Sequence, residues 1–262
     1  MIVEYPLTKN NRINLARAFR NVPRVDISIE CVLEAHMGKA FVDNAESPSA
    51  YKIMIGPFFY FAGNAHGAGG QEMLKEIKPY TLFMSSSTGW AEECRQLYGE
   101  RLVAFERYSF SSEKLSLEQL TRLCKNSAHD IKRMDIAMLE KVWGQDHFIE
   151  ISDFDSVSDF IGRGIGYYAE KNGEVIGAAY SSLVCNQGIE ISLFVSDDYR
   201  RQGIATALSA NLVRWCLENN MDAHWDAANL ESCKLAEKLG YIQAGEYQAY
   251  YLKTKMSINV EK

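Results

Sequence analysis

The sequence predicts an α/β protein built on a mixed sheet, with antiparallel hairpins first and strand–helix–strand units after them. Three observations carry this. Asn172-Gly173 joins two β-rich runs, GYYAEK and EVIGAAYSSL, and Asn-Gly between such runs signals a two-residue hairpin because both turn positions need positive φ. The β-branched run from Ile189 to Val195 leads through the turn SDDYRRQG into an amphipathic segment, Ile204 to Leu217, with apolar residues at helical spacing. A further strand, Ala223 to Asp226, leads into a helix stopped by Gly240 and then into the aromatic stretch YIQAGEYQAYYL.

From about Asp130 the predicted order is βααβββαβαββ. A short strand near Ile131 precedes a helix (Ile136 to Trp143) and a second helix around Val157 to Ile161. The Asn-Gly hairpin follows, then the Ile189 strand with its basic turn and helix. Next come the Ala223 strand, the helix from Ser232, and an aromatic strand pair that closes the sheet. The first half reads as a weaker copy. YTLFMSSSTGWAEECRQLYGERLVAFERYSF, from Tyr80, aligns with the stretch from Asp222 at an offset of 142 (222 − 80). NAHGAGGQEML, from Asn64, follows the strand-like IMIGPFFYF as the turn from Arg200 follows its own strand, at an offset of 136 (200 − 64). Offsets this similar suggest duplication. SSEKLSLEQLTRLCKNSAHD, polar with one short helix, reads as the linker, which divides the chain into 1–125 and 126–262.

Composition excludes several classes. The chain has 262 residues, room for one large domain or two ordinary ones, with 47% hydrophobic and 24% charged residues. Its net charge, 28 − 34 = −6, argues against a nucleic-acid partner. Six scattered cysteines without a C-x-x-C pair read as free thiols of a reducing compartment. Five histidines without an H-x-x-H cluster give a metal site no support. MIVEYPLTKNNR lacks a signal-peptide core, and no run approaches the ~20 apolar residues that a bilayer requires. A cytoplasmic protein with no membrane partner is expected, and homodimerisation is open.

The turn at 196–203 has the chemistry of an anion pocket. Backbone N–H groups from Arg201 to Thr206 converge at a helix start where they have no helical acceptor, and the local dipole favours a diphosphate there. Gly203 lets the backbone approach a ligand closely, and Arg200 and Arg201 add positive charge.

R-R-Q-G-I-A resembles the Q/R-x-x-G-x-G/A turn of the GNAT superfamily, the acyl-CoA-dependent N-acyltransferases. NLESCKLAEKLGY (Asn229 to Tyr241) resembles that superfamily's second motif, an Asn opening a helix that ends in Leu-Gly-aromatic. The two motifs stand in the expected order and spacing, and the resemblance covers roughly residues 127 to 262. With its degenerate N-terminal half, the whole chain resembles the zwittermicin-A-resistance type of GNAT protein. The resemblance implies a C-terminal GNAT fold, a smaller GNAT-like N-terminal domain, acetyl-CoA as cosubstrate without a metal, and a small-molecule amine as acceptor.

It also implies site residues. The backbones of Phe194 and Val195, where the strand splays, would bond the pantetheine arm, and a bulge there would free those groups. Arg201, Gln202, Gly203, Ile204, Ala205 and Thr206 would hold the pyrophosphate, with Arg200 at the turn's edge. Asn229 and Ser232 would face the acyl end. A backbone N–H near Val195 would serve as oxyanion donor. Glu190 stands where relatives keep a general base, acting directly or through water; the other reading is a solvated strand-end carboxylate. Relatives often place a Tyr acid in the second-motif helix, where this chain has Ala236. Ser232 and Tyr241 are the candidates to replace it, with Tyr247, Tyr250 and Tyr251 nearby. CoA can also leave unaided as the thiolate.

Other candidates have bland readings beside the functional ones. Alternation turns His224 and Asp226 to one face of their strand, where His224 reads as a hydrogen-bonded structural residue more than a base. GNAHGAGG could be a second phosphate turn, yet its glycines and lack of basic residues suit a loop. PFFYF reads as buried strand, with a pocket wall as the alternative. Three functions follow: N-acetyltransfer to a small amine by direct attack in a ternary complex, protein N-acetylation, or a catalytically decayed acyl-CoA sensor.

Overall fold

The structure is a computed structural model that describes residues 1–56, 58–75, 77–79, 81–84, 88–125, 127–143 and 154–254. Its first elements are β1 (Val3–Glu4), α1 (Lys9–Ala18), α2 (Ser28–Leu33), β2 (Lys39–Val42), β3 (Ala50–Ile55), β4 (Phe58–Gly63), α3 (Ala68–Lys75), β5 (Leu82–Met84), α4 (Thr88–Tyr98) and β6 (Leu102–Ser111). They continue with α5 (Leu117–Leu123), β7 (Ile131–Arg133), α6 (Ile136–Val142), α7 (Val157–Arg163), β8 (Gly166–Lys171), β9 (Glu174–Val184) and β10 (Gly188–Val195). The last are α8 (Ile204–Glu218), β11 (Asp222–Ala227), α9 (Leu230–Leu239) and β12 (Ile242–Leu252). Among the described residues no helix is long and apolar enough to cross a membrane. Two compact units result: Met1–Arg24, Val32–Glu106 and the chain from Gln248 form one, and Val25–Cys31 with Arg107–Tyr247 form the other.

In the first unit, β2, β3 and β4 form an antiparallel meander and β5 joins β4 in parallel. IMIGPFFYF, expected as one strand, is a hairpin. Ile55 pairs with Phe58, and Gly56 takes φ +50, a left-handed turn geometry that glycine adopts without a Cβ penalty. Pro57 lies outside the described residues, as do Tyr80, Ser85–Ser87 and Asn126 of the other predicted segments. The core stacks Phe61 on Trp90 at 4.8 Å and Phe83 on Tyr250 at 5.4 Å, and Phe59, Tyr60 and Phe61 are buried strand residues.

The paired glycines in the first turn of α3 are explained by packing. A Cβ on Gly69 would stand 2.3 Å from the Asp43 side chain, and one on Gly70 would stand 2.4 Å from the Asn64 carbonyl oxygen. His66 beside them meets Glu93 at 2.7 Å, and Glu93 also accepts from Gln71.

In the second unit, β7, β8, β9 and β10 run antiparallel in sequence, β11 joins β10 in parallel, and β6 pairs antiparallel with β11. Asn172 and Gly173 take φ +53 and +80, so the Asn-Gly turn forms as its sequence dictates. α8 buries Ile204, Leu208, Leu212 and Val213 completely against this sheet. Each such side chain contributes about 1.5–3 kcal/mol of burial. α5, with Leu120 fully buried, packs on α8, and position 125, the expected domain boundary, lies within the second unit.

The two expected aromatic strand pairs are single long strands, β6 and β12. Neither contains a turn pair, and Gly245 does not take the positive φ that would reverse the chain.

Candidate active site

The site begins where two strands part. β10 pairs with β9 along its whole length, from Ile189 opposite Val184 to Val195 opposite Gly177. It pairs with β11 only at Gly188, Ile189 and Glu190. Past Glu190 its second edge has no ladder partner among the described residues. The Ser196 N–H donates to the Ile176 carbonyl at 2.9 Å, and alternation by two then turns the Phe194 backbone toward β9. The same alternation turns the N–H groups of Leu193 and Val195 toward the open edge. The sheet's irregularity sits earlier, at Glu190/Ile191, where Ser182 is the extra residue on β9 and donates its hydroxyl proton to the Glu190 carbonyl at 3.2 Å.

Beyond β10 the chain enters α8 through Gly203, which has φ +81 and offers no capping side chain. Arg201 is also left-handed, at φ +64. The first backbone bond of α8 runs from the Ala207 N–H to the Gly203 carbonyl, leaving the N–H groups of Ile204, Ala205 and Thr206 without a helical acceptor. No acidic residue stands in that first turn. The Arg200 N–H is taken by the Asp197 carbonyl and its guanidinium by Asp197 at 2.7 Å. Arg201 meets Glu231 at 2.6 Å. Both are exposed pairs, worth little in water, so either arginine can turn to an anion. Gln202 donates to the Asp198 carbonyl at 3.2 Å. From α9, Lys238 donates to Thr206 Oγ1 at 3.2 Å.

One cleft of about 770 Å³ is lined by Ile191 to Val195, Tyr199 to Arg201, Gly203 to Thr206, Trp225, Asp226 and one face of α9, and Gln202 is not part of its lining. Arg200, Arg201, Lys234 and Lys238 all line it. An elongated ligand with a diphosphate and an amide-bearing arm fits this donor set: free N–H groups and cations at one end, an open strand edge along the other.

Of the residues expected at the acyl end, Asn229 and Ser232 line the cleft. Asn229 caps α9, its Oδ1 accepting from the Ser232 N–H at 2.9 Å. Ser232 Oγ accepts from Trp225 Nε1 at 3.1 Å. Tyr241 is not brought to the cleft. It is buried, donates its hydroxyl proton to the Ala223 carbonyl at 2.7 Å, and burial pushes its phenol well above the usual range. Ala236 is also fully buried. Tyr250 and Tyr251 pack against Phe83 and Phe105 in the first unit.

Glu190 lies beside the cleft in a buried polar cluster and does not line it. Burial raises its carboxyl to about 7. Its Oε2 is 2.9 Å from His224 Nδ1, off the ring's donor axis, so this is a charge contact more than an aligned hydrogen bond. Burial would lower His224, but the charge and close contact of Glu190, with the charges of Asp26 and Asp222, together outweigh it and lift the imidazole to about 9. Asp226 Oδ2 takes Arg107 Nε at 2.8 Å, Arg107 Nη2 at 2.6 Å and the Tyr247 hydroxyl at 2.9 Å, whereas buried Oδ1 has no partner. Asp26 is close enough to raise both Glu190 and Asp226. Sequence reasoning named His224, Asp226 and, as a neighbour of the reaction, Tyr247, but missed Arg107, Asp26 and Lys238. A lone arginine in the aromatic run VAFERYSF was the one available hint.

The family profile of the GNAT acetyltransferases matches residues 19–250. The N-acetyltransferase YdfB of Bacillus subtilis (strain 168), itself described as uncharacterized, is 26% identical over 225 residues, which cover 82% of this chain and 85% of that one. The crystal structure of a GCN5-related N-acetyltransferase-like protein from Streptococcus suis superposes with a TM-score of 0.83 at 29% identity, covering 92% of this chain and 98% of the other. A GNAT-family acetyltransferase from Colwellia psychrerythraea shares the fold at 11% identity, with a TM-score of 0.55 over 97% of this chain and 100% of that one. The parted strands and the helix start behind them thus sit inside a match that spans most of the sequence, and the protein belongs to the GNAT acetyltransferase family.

Proposed function

We propose that the second unit binds acetyl-CoA in the cleft between β10, α8 and α9 and transfers the acetyl group to the primary amine of a small molecule. The observation that carries this reading is the loss of β10–β11 pairing after Glu190, directly before the unpaired N–H groups of α8. The amides of Gly203 to Thr206, with Arg200, Arg201 and Lys238, hold the diphosphate. The exposed edge of β10 holds the pantetheine arm, and the Val195 N–H supports the carbonyl oxygen as charge develops on it, an interaction worth about 3 kcal/mol. Glu190 takes the amine's proton through water, since its carboxylate is buried beside the cleft, and a base near neutrality suits that task. Ser232 donates a hydrogen bond to the departing sulfur, in place of the phenol that Ala236 cannot supply.

The zwittermicin-A-resistance resemblance supports a small-molecule acceptor. An origin by duplication belongs to the same proposal. Its support is that each half has a strand, a glycine-containing turn, a helix, and a next strand parallel to the first. Calorimetry with acetyl-CoA, followed by thiol release over polyamines, aminoglycosides and lysine peptides, tests the reading. Binding with no release on any amine would make the protein an acyl-CoA sensor, and release with peptides alone would make it a protein acetyltransferase.

A further inference from the structure

We propose that Trp225 is a positioning residue that fixes the direction of the Ser232 hydroxyl proton, so that this serine can stabilise the leaving CoA sulfur. The inference rests on the acetyl-CoA reading above and deepens it. Two contacts leave Ser232 little freedom. Its backbone is held at the third position of α9 by the Asn229 cap, at 2.9 Å. Its Oγ lies 3.1 Å from Trp225 Nε1. An indole N–H only donates, so the serine oxygen accepts there, and its own proton must point elsewhere. Among the described residues no group accepts that proton. Ser232 and Trp225 both line the cleft.

The indole is itself held. It is 3% exposed, and its ring packs on Tyr241 at 5.6 Å. The Tyr241 hydroxyl is tied to the Ala223 carbonyl on the same strand as Trp225. The buried tyrosine thus acts at a distance from the chemistry, by bracing the indole. Accepting a hydrogen bond also polarises the serine O–H, which strengthens it as a donor.

The step balances without a second acid. The amine nitrogen forms its bond to the thioester carbonyl carbon as the C–S bond breaks. That electron pair goes to sulfur, which accepts a hydrogen bond from Ser232 Oγ–H. The amine proton leaves to Glu190 through water, and CoA departs as thiolate or takes a proton from solvent.

The test needs no acceptor amine. Coenzyme A is bound to the protein, and its thiol is titrated by thiolate ultraviolet absorbance. In the wild type the bound thiol should be more acidic than free CoA. Trp225→Phe and Ser232→Ala should each lower its ionisation constant about tenfold, the scale of one hydrogen bond to a charged group. The double variant should lose no more than either single variant, and Ser232→Thr should restore the effect. If Trp225→Phe folds poorly, the indole N–H resonance of Trp225 in the nitrogen-15-labelled wild type serves instead, assigned by its loss of partner in Ser232→Ala, and it should move as the bound thiol titrates. Failure of CoA to bind would overturn the acetyl-CoA reading. Binding with the same thiol acidity in wild type and Ser232→Ala, additive effects in the double variant, or an indole resonance blind to the thiol would overturn this inference alone.

Discussion

Glu190 and His224 are register partners on parallel strands, with Glu190 Oε2 2.9 Å from His224 Nδ1. Burial raises Glu190 from 4.5 to about 7, and Glu190, Asp26 and Asp222 together overcome burial to raise His224 from 6.5 to about 9. Both groups hold their protons more tightly folded than unfolded. Their stabilisation is therefore complete at low pH and is lost as pH climbs through these windows, from 4.5 to about 7 and from 6.5 to about 9. The melting temperature should fall between about pH 6 and about pH 9, and Glu190→Gln should flatten the upper part of that fall by removing the main charge that raises His224. Calorimetric scans at the two pH values decide it; parallel slopes in wild type and variant would refute the coupling.

The same carboxyl gives a kinetic signature. A base that must be ionised to act makes kcat/KM rise with pH through its own titration, here near 7. With the active amine of the panel, Glu190→Gln should lose at least about a hundredfold in kcat/KM and the low-pH limb of the profile, while acetyl-CoA affinity holds. A variant that keeps the wild-type pH profile would show that another group takes the proton.

Gly203 serves both conformation and space. At φ +81 an alanine carries a penalty of about 1–2 kcal/mol, whereas a glutamate adds bulk and a negative charge at the start of α8. Gly203→Glu should abolish acetyl-CoA binding by calorimetry, and Gly203→Ala should weaken it less. Unchanged affinity in the glutamate variant would remove the diphosphate from this turn.

The Arg107–Asp226 pair, at 2.6 Å with side chains 10% and 3% exposed, is buried enough for its loss to register. Arg107→Met strands a buried carboxylate, and a broken buried pair typically costs about 3–5 kcal/mol. Tyr247→Phe removes one donor to the same oxygen and should cost about 1 kcal/mol. Urea unfolding of the two variants should rank them in that order. Equal midpoints would mean that solvent already compensates the carboxylate.

What the sequence revealed and what it hid follow from the range of each interaction. The Asn172-Gly173 hairpin, the Gly203 turn and the Asn229 cap depend on neighbours a few residues away, so their signals are local, and each element stands where its residues place it. The arrangement around Asp226 joins residues far apart in the chain, with Arg107 119 positions away. No periodicity encodes it. Tyr241 shows the same limit from the other side: motif position put it near the reaction, but its burial against Trp225 and its bond to Ala223 depend on how α9 packs. The aromatic density of β6 and β12 resembles two short strands each, but only a turn residue divides a strand, and neither contains a turn pair.

Gly70 separates a packing glycine from a binding one. Its φ is not left-handed, so its need for glycine comes from space: a Cβ would stand 2.4 Å from the Asn64 carbonyl oxygen and 2.6 Å from that of Ala65. Backbone oxygens cannot swing aside as a flexible side chain can, so Gly70→Ala must displace the start of α3. The strain of such overpacking is about 1–3 kcal/mol. The variant should melt at a lower temperature and bind acetyl-CoA with unchanged affinity, the opposite of Gly203→Glu. A loss of acetyl-CoA binding in a Gly70→Ala protein that keeps its melting temperature would restore the loop before α3 as a ligand turn.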